Sequence, residues 1–107
     1  VATKGRLGLV KRFPVGPIAG IAPFNFPFNL SSHKLAPALA SGNTIVLKPA
    51  SADPLAVLIL GEIFEEAGLP PGVVSILPMS REVGEKLITD ERFKLLSFTD
   101  ITTILGL

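Results

Sequence analysis

The 107-residue chain contains no cysteine and a single histidine, His33. The first absence excludes disulfides, thiolate metal sites and a cysteine nucleophile from these residues. The second leaves too few nitrogen ligands for a zinc site. Charge of one sign is also missing: ten Lys and Arg stand against nine Asp and Glu, a formal net charge of +1. That balance gives no electrostatic case for nucleic acid or an acidic surface. The one basic concentration, Lys4, Arg6, Lys11 and Arg12, reads as a solvated edge. No apolar run approaches the roughly 18 residues of a membrane span, and no charged-then-apolar leader is present. A cytoplasmic protein without membrane contact is therefore the expectation. Internal repeats, low-complexity tracts and linkers are absent, and no glycine cluster forms G-x-G-x-x-G, the usual dinucleotide fingerprint.

What is present is apolar. Hydrophobic residues make up 48% of the chain and mean hydropathy is +0.54. For so short a chain this points to surface covered by something outside it, and the start at Val1 fits a processed or excerpted piece. Gly5–Phe13 alternates loosely and reads as an edge strand or hairpin arm. Pro14–Val15–Gly16–Pro17 then turns the chain into Ile18–Ala22, a short continuous apolar run of the kind that parallel, doubly covered strands show. Asn29 is a fair N-cap for a helix from Leu30 to about Ser41, irregular at Pro37 and closed by Gly42. Thr44–Leu47 is a second β-branched strand. Asp53, Pro54, Gly68 and Pro70 bracket a helix that is apolar nearly all round, as in helices buried on more than one side. Val73–Leu77 reads as a third strand, Ser80 caps a short helix from Arg81 to Ile88, and Phe93–Thr99 reads as a fourth strand. The alternation implies an α/β fold, an open parallel Rossmann-like sheet. Residues 1–13 form an arm of the kind used in oligomerisation, and residues 14–107 form a partial domain.

Ligands of open α/β sheets bind outside the carboxyl ends of the strands. Two stretches lie there. Gly20–Asn29 holds Asn25 between Pro23 and Pro27, which fix the backbone and push Ala22 and Phe26 towards extended geometry. The carboxamide could stabilise a developing oxyanion, or it could satisfy its own turn. Lys48 directly follows the second strand, where its ammonium could meet hydroxyls or phosphate or simply snorkel into water. Phe26 and Phe28 read as packing residues, and His33 as a helix-surface or packed histidine.

Pro23–Phe24–Asn25–Phe26–Pro27, followed 23 positions after Asn25 by Lys48–Pro49–Ala50–Ser51, resembles the cofactor-binding domain of the aldehyde dehydrogenase superfamily. The resemblance runs from about Gly5 to Thr99. It implies an oxidoreductase that binds NAD or NADP on a Rossmann-like sheet without the usual fingerprint and oxidises an aldehyde to a carboxylic acid. Asn25 then matches the residue that hydrogen-bonds the aldehyde oxygen as it becomes an oxyanion. Pro23 and Phe24 match positions at the nicotinamide end, Ala22 before them is a further cofactor-binding candidate, and Phe98 matches the end of the fourth strand. Lys48 matches the lysine on the adenosine ribose, with Pro49 and Ala50 completing its motif. Ser51 falls where an acidic group would repel a ribose 2′-phosphate; being uncharged, it leaves NADP tolerated.

The sequence also departs from that family. Asp100–Ile101 stands where Gly-Ser usually continues, Thr102–Leu107 no longer follows the pattern, and Pro78–Met79–Ser80–Arg81 lacks glycines that many members have. The family's mechanism uses a cysteine thiolate and a glutamate; no cysteine exists here, and no glutamate lies in a matching context. The expectation is a cofactor-binding fragment of such an enzyme, inactive alone and homo-oligomeric through missing and edge-strand segments. The alternative is a noncatalytic structural or interaction module derived from that fold.

Overall fold

The four apolar runs become strands β1 (Ile18–Ile21), β2 (Ile45–Lys48), β3 (Val74–Ile76) and β4 (Leu95–Phe98) in a computed structural model that describes residues 4–99. Helices α1 (Pro27–Ala40), α2 (Leu55–Glu66) and α3 (Arg81–Thr89) alternate with them. All three strand pairings are parallel, and the spatial order is β3-β2-β1-β4. Parallel neighbours need a crossover between them, which each helix supplies. β1 is internal, with Ile18–Ile21 opposite Ile45–Lys48 on one side and Leu95–Phe98 on the other. The strands progress outward from β1 to β3, and the chain then returns to place β4 on β1's free side. That reversal puts a topological switch point between β1 and β4.

The core lies between the middle strands and α1 and α2. Ile18, Ala22, Leu35, Ala38, Ile45, Leu47, Val57 and Leu60 are buried together. Leu35, Leu47 and Val57 lose all contact with water, and such burial contributes about 1.5–3 kcal/mol per side chain. Gly20 lets this packing close: a β-carbon there would lie 2.8 Å from Leu47 Cδ1. α2 buries only Val57 and Leu60. Phe64 packs half-buried against the core, while Leu55, Ile59 and Ile63 stand exposed at helical spacing.

Several expected boundaries shift. β2 takes in Lys48, while β3 and β4 are shorter than the apolar runs that hold them. α2 begins at Leu55 after Pro54, and Asp53 makes no capping bond. α1 starts at Pro27, three residues earlier than its expected start at Leu30, with Asn29 inside the helix. Its cap is Phe26 in the left-handed region (φ 69°, ψ 55°) and not the extended geometry expected before a proline. The reversal into a helix within two residues requires this: the Phe26 carbonyl turns to accept Leu30 N–H at 3.0 Å, and Pro27 suits a first helical position because it has no N–H to satisfy. α1 continues through Pro37, whose ring faces outward.

Gly5–Phe13 is not a strand. Leu7, Leu9 and Val10 are 88–90% exposed, because alternation makes a strand only where a partner ladder exists, and none among the described residues pairs with it. The chain is first tied down at Val15 and Gly16, whose N–H groups donate to Asn43 Oδ1 at 2.6 and 3.0 Å. Asp100–Ile101 and Thr102–Leu107 lie outside the described residues.

Candidate functional site

The parallel register brings Ile21, Lys48 and Phe98 level with one another at the carboxyl end of the sheet. The ladder continues one step further. Ala22 N–H donates to the Lys48 carbonyl at 3.1 Å, and Thr99 N–H donates to the Ile21 carbonyl at 3.2 Å. The loop carrying Asn25 and the segment carrying Ser51 therefore leave adjacent strands on one rim. A pocket of about 270 Å³ opens there, lined by Ile21, Lys48, Phe98 and residues of α3 that include Arg81 and Gly84. A larger recess of about 340 Å³ lies between α1 and β4, away from this rim, and takes in none of the residues expected to form the site.

The expected residues divide by exposure. Ala22, Pro23 and Pro49 are buried and shape the backbone beneath the rim. Phe24 and Phe98 are more than half exposed, Ala50 is half-buried, and Ser51 is open to solvent. The pocket itself joins only Lys48 and Phe98 from this set; its α3 wall was not expected. α3 is placed by Ser80, whose Oγ accepts Val83 N–H at 3.3 Å as an N-cap.

Asn25 Oδ1 is buried and has no hydrogen-bond partner among the described residues. One form of the turn reading, an Asx turn accepting at Oδ1, is closed to this side chain on covalent grounds. An Asx turn needs the N–H two residues on, and that residue is Pro27, which has none. A buried acceptor without a partner is a cost that folded chains rarely carry, and here it sits beside the left-handed Phe26, a backbone state that costs about 1–3 kcal/mol in a residue with a side chain. Such outliers cluster at functional sites. Lys48 is similarly underused: the residue is half-buried, and its ammonium has one hydrogen bond among the described residues, 3.5 Å to the Pro49 carbonyl. A carboxamide and an ammonium with bonding capacity left over suit a polar, anionic or hydroxyl-bearing ligand.

Lys34 carries a signal that sequence reading missed. It is 6% exposed, and its Nζ donates to Thr99 Oγ1 at 2.7 Å and Ser97 Oγ at 3.3 Å. Burial lowers its pKa from the ordinary 10.5. The helical stripe Ser31, Lys34, Leu35, Ala38 is the buried face of α1, so a lysine on that face was detectable by period alone. His33, next to it, is exposed. Among the described residues no cluster of His, Asp or Glu could hold a metal ion, and no helix is long and apolar enough to cross a membrane.

The aldehyde dehydrogenase family model matches residues 1–104. The chain belongs to the aldehyde dehydrogenase family. Among similar members, a 3-sulfolactaldehyde dehydrogenase of Priestia aryabhattai is 45% identical over 98 residues, covering 91% of this chain and 20% of the relative. The NADP-complexed glyceraldehyde-3-phosphate dehydrogenase GapN of Methanocaldococcus jannaschii superposes with a TM-score of 0.77 at 40% identity, over 88% of this chain and 22% of that one. The NAD+ complex of a Bacillus cereus aldehyde dehydrogenase gives 0.81 at 40% identity, over 88% and 19%. The chain thus spans about a fifth of the length of such relatives, and its fold is a part of their Rossmann-like parallel sheet.

Proposed function

We propose that the chain supplies the nucleotide rim and the oxyanion-holding carboxamide of an NAD(P)-dependent enzyme that oxidises an aldehyde to a carboxylic acid. The observation that carries the reading is the placement of two underused polar groups, Asn25 and Lys48, after adjacent parallel strands beside the switch point. Lys48 donates to the adenosine ribose. Uncharged Ser51 leaves a 2′-phosphate unopposed, so NADP is accepted as well as NAD. Pro23 and Phe24 line the nicotinamide end. Asn25 donates from Nδ2 to the aldehyde oxygen as it gains charge, and the rigid Pro23–Pro27 turn preorganises that donor. The bound cofactor supplies the hydride acceptor. Cysteine is absent from the 107 residues, so the thiolate route is closed to the chain by itself. It binds cofactor and does not turn over.

Isothermal titration of the folded chain with NADP and with NAD tests this. Heat of binding for both supports it; no heat at millimolar cofactor removes it. The rival reading is a noncatalytic structural or interaction module derived from the same fold, and its support is the bare apolar stripe of α2 at Leu55, Ile59 and Ile63. A soluble homo-oligomer indifferent to both cofactors would favour that reading.

A further inference from the structure

α3 has nine residues and buries one of them, Gly84. Glycine is the poorest helix former after proline, and no left-handed backbone angle calls for it at this position. The reason for it lies across the pocket. A β-carbon at Gly84 would stand 2.8 Å from Lys48 Cδ and 2.9 Å from Lys48 Cε, and no other atom outside the local helix would come within 4 Å. The lysine stem therefore lies directly on the bare backbone of α3, with its ammonium left at the rim between β2 and the pocket.

We propose that Gly84 is a positioning residue: the missing side chain is the berth that fixes the Lys48 stem and so aims its ammonium at the bound nucleotide. The inference rests on the cofactor reading above for its consequence, while the berth itself is a matter of packing. A methyl group at position 84 overlaps two carbons of a flexible chain, so the helix can keep its place and the lysine must move. The ammonium then leaves the spot where a ribose hydroxyl would meet it. Because alanine also favours the helix, the substitution separates aim from folding.

The test compares the 107-residue chain with Gly84→Ala, Lys48→Ala and the double variant. Three measurements are made: NADP titration, thermal melting, and the rate at which an N-hydroxysuccinimide ester acetylates Lys48, read by peptide mass spectrometry. Gly84→Ala is expected to weaken NADP binding about tenfold, the worth of one charge-assisted bond, with a melting temperature unchanged or raised. It should also speed Lys48 acetylation several-fold. Added to Lys48→Ala, it should change affinity by less than about twofold, since the group it displaces is already gone. Equal losses from Gly84→Ala in both backgrounds, or an unchanged acetylation rate, overturn the proposal. If the unsubstituted chain binds no NADP, the cofactor reading fails by itself and the acetylation rate still decides whether Gly84 holds the lysine.

Discussion

Two asparagines stand at opposite ends of the same sheet and are used in opposite ways. Asn43, just before β2, has every polar atom engaged. Its Oδ1 accepts from Val15 and Gly16, and its Nδ2 donates to Ser41 Oγ at 2.9 Å and to the Ala38 carbonyl at 3.4 Å. Asn25, just past β1, keeps a buried oxygen with no partner. The two buried or half-buried lysines divide in the same way. Lys34 is held by two hydroxyls of the β4 segment, whereas Lys48 has one long contact to a carbonyl. The amino-end asparagine is fully used and the rim asparagine and lysine are not, although Ser31 Oγ on the buried face of α1 also lacks a partner among the described residues. The contrast between the two asparagines and the two lysines is what the proposed function is built on.

Three substitutions can break or sharpen that contrast. The largest effect belongs to Asn25→Ala in a chimera carrying this chain in place of the matching fifth of the M. jannaschii enzyme. Its kcat should fall about 10²–10³-fold, the usual cost of one oxyanion donor. Denaturant unfolding of the chain itself should move by less than about 1 kcal/mol, since no bond is lost. A large stability loss with little change in kcat would make Asn25 a structural residue like Asn43. Next comes Asn43→Ala, which orphans two backbone N–H groups. It should destabilise the chain by about 2–3 kcal/mol in urea titration and leave NADP affinity per folded molecule unchanged.

The smallest effect concerns Lys34. Burial lowers its pKa in the folded chain, so between that value and the ordinary 10.5 the unfolded chain binds more protons than the folded one. Stability must then rise with pH across this alkaline window and level off above it, with the full penalty of burying the ammonium present below it. Urea midpoints measured through the window should climb for the unsubstituted chain and lose that climb in Lys34→Met. At pH 7 the same variant should differ by under about 1 kcal/mol, the lost hydroxyl contacts being offset by the relief of desolvation. A midpoint for Lys34→Met that still climbs would assign the slope to another group.

Most of the fold was legible because its signals are local. Ser80 caps α3 as expected, Gly42 and Gly68 take the positive φ that closes α1 and α2, and four apolar runs between helices leave only a parallel sheet. The misses come where a local signal needs a distant answer. Gly5–Phe13 alternates like a strand but finds no ladder among the described residues. Phe26 precedes a proline and should be extended, yet the helix begins at that proline and forces the turn. Asn29 looks like a cap because its side chain is right, while the backbone reversal occurs three residues earlier. The candidate site was legible as two words, Pro23–Pro27 and Lys48–Ser51. Its α3 wall was not, because nothing in Arg81–Ile88 says that a lysine 36 positions upstream will lie across Gly84.

The switch point has a consequence for how such a rim can be inherited. A fingerprint loop is one contiguous segment, and it can be copied from chain to chain as a piece. Here the strand ends that meet, Ile21, Lys48 and Phe98, come from three separate parts of the chain, and α3 contributes a fourth. No short peptide cut from this molecule carries the rim, and a break in any of its three crossovers scatters it. The rim is a property of the closed sheet, and only a piece that holds all four of these parts can transmit it whole.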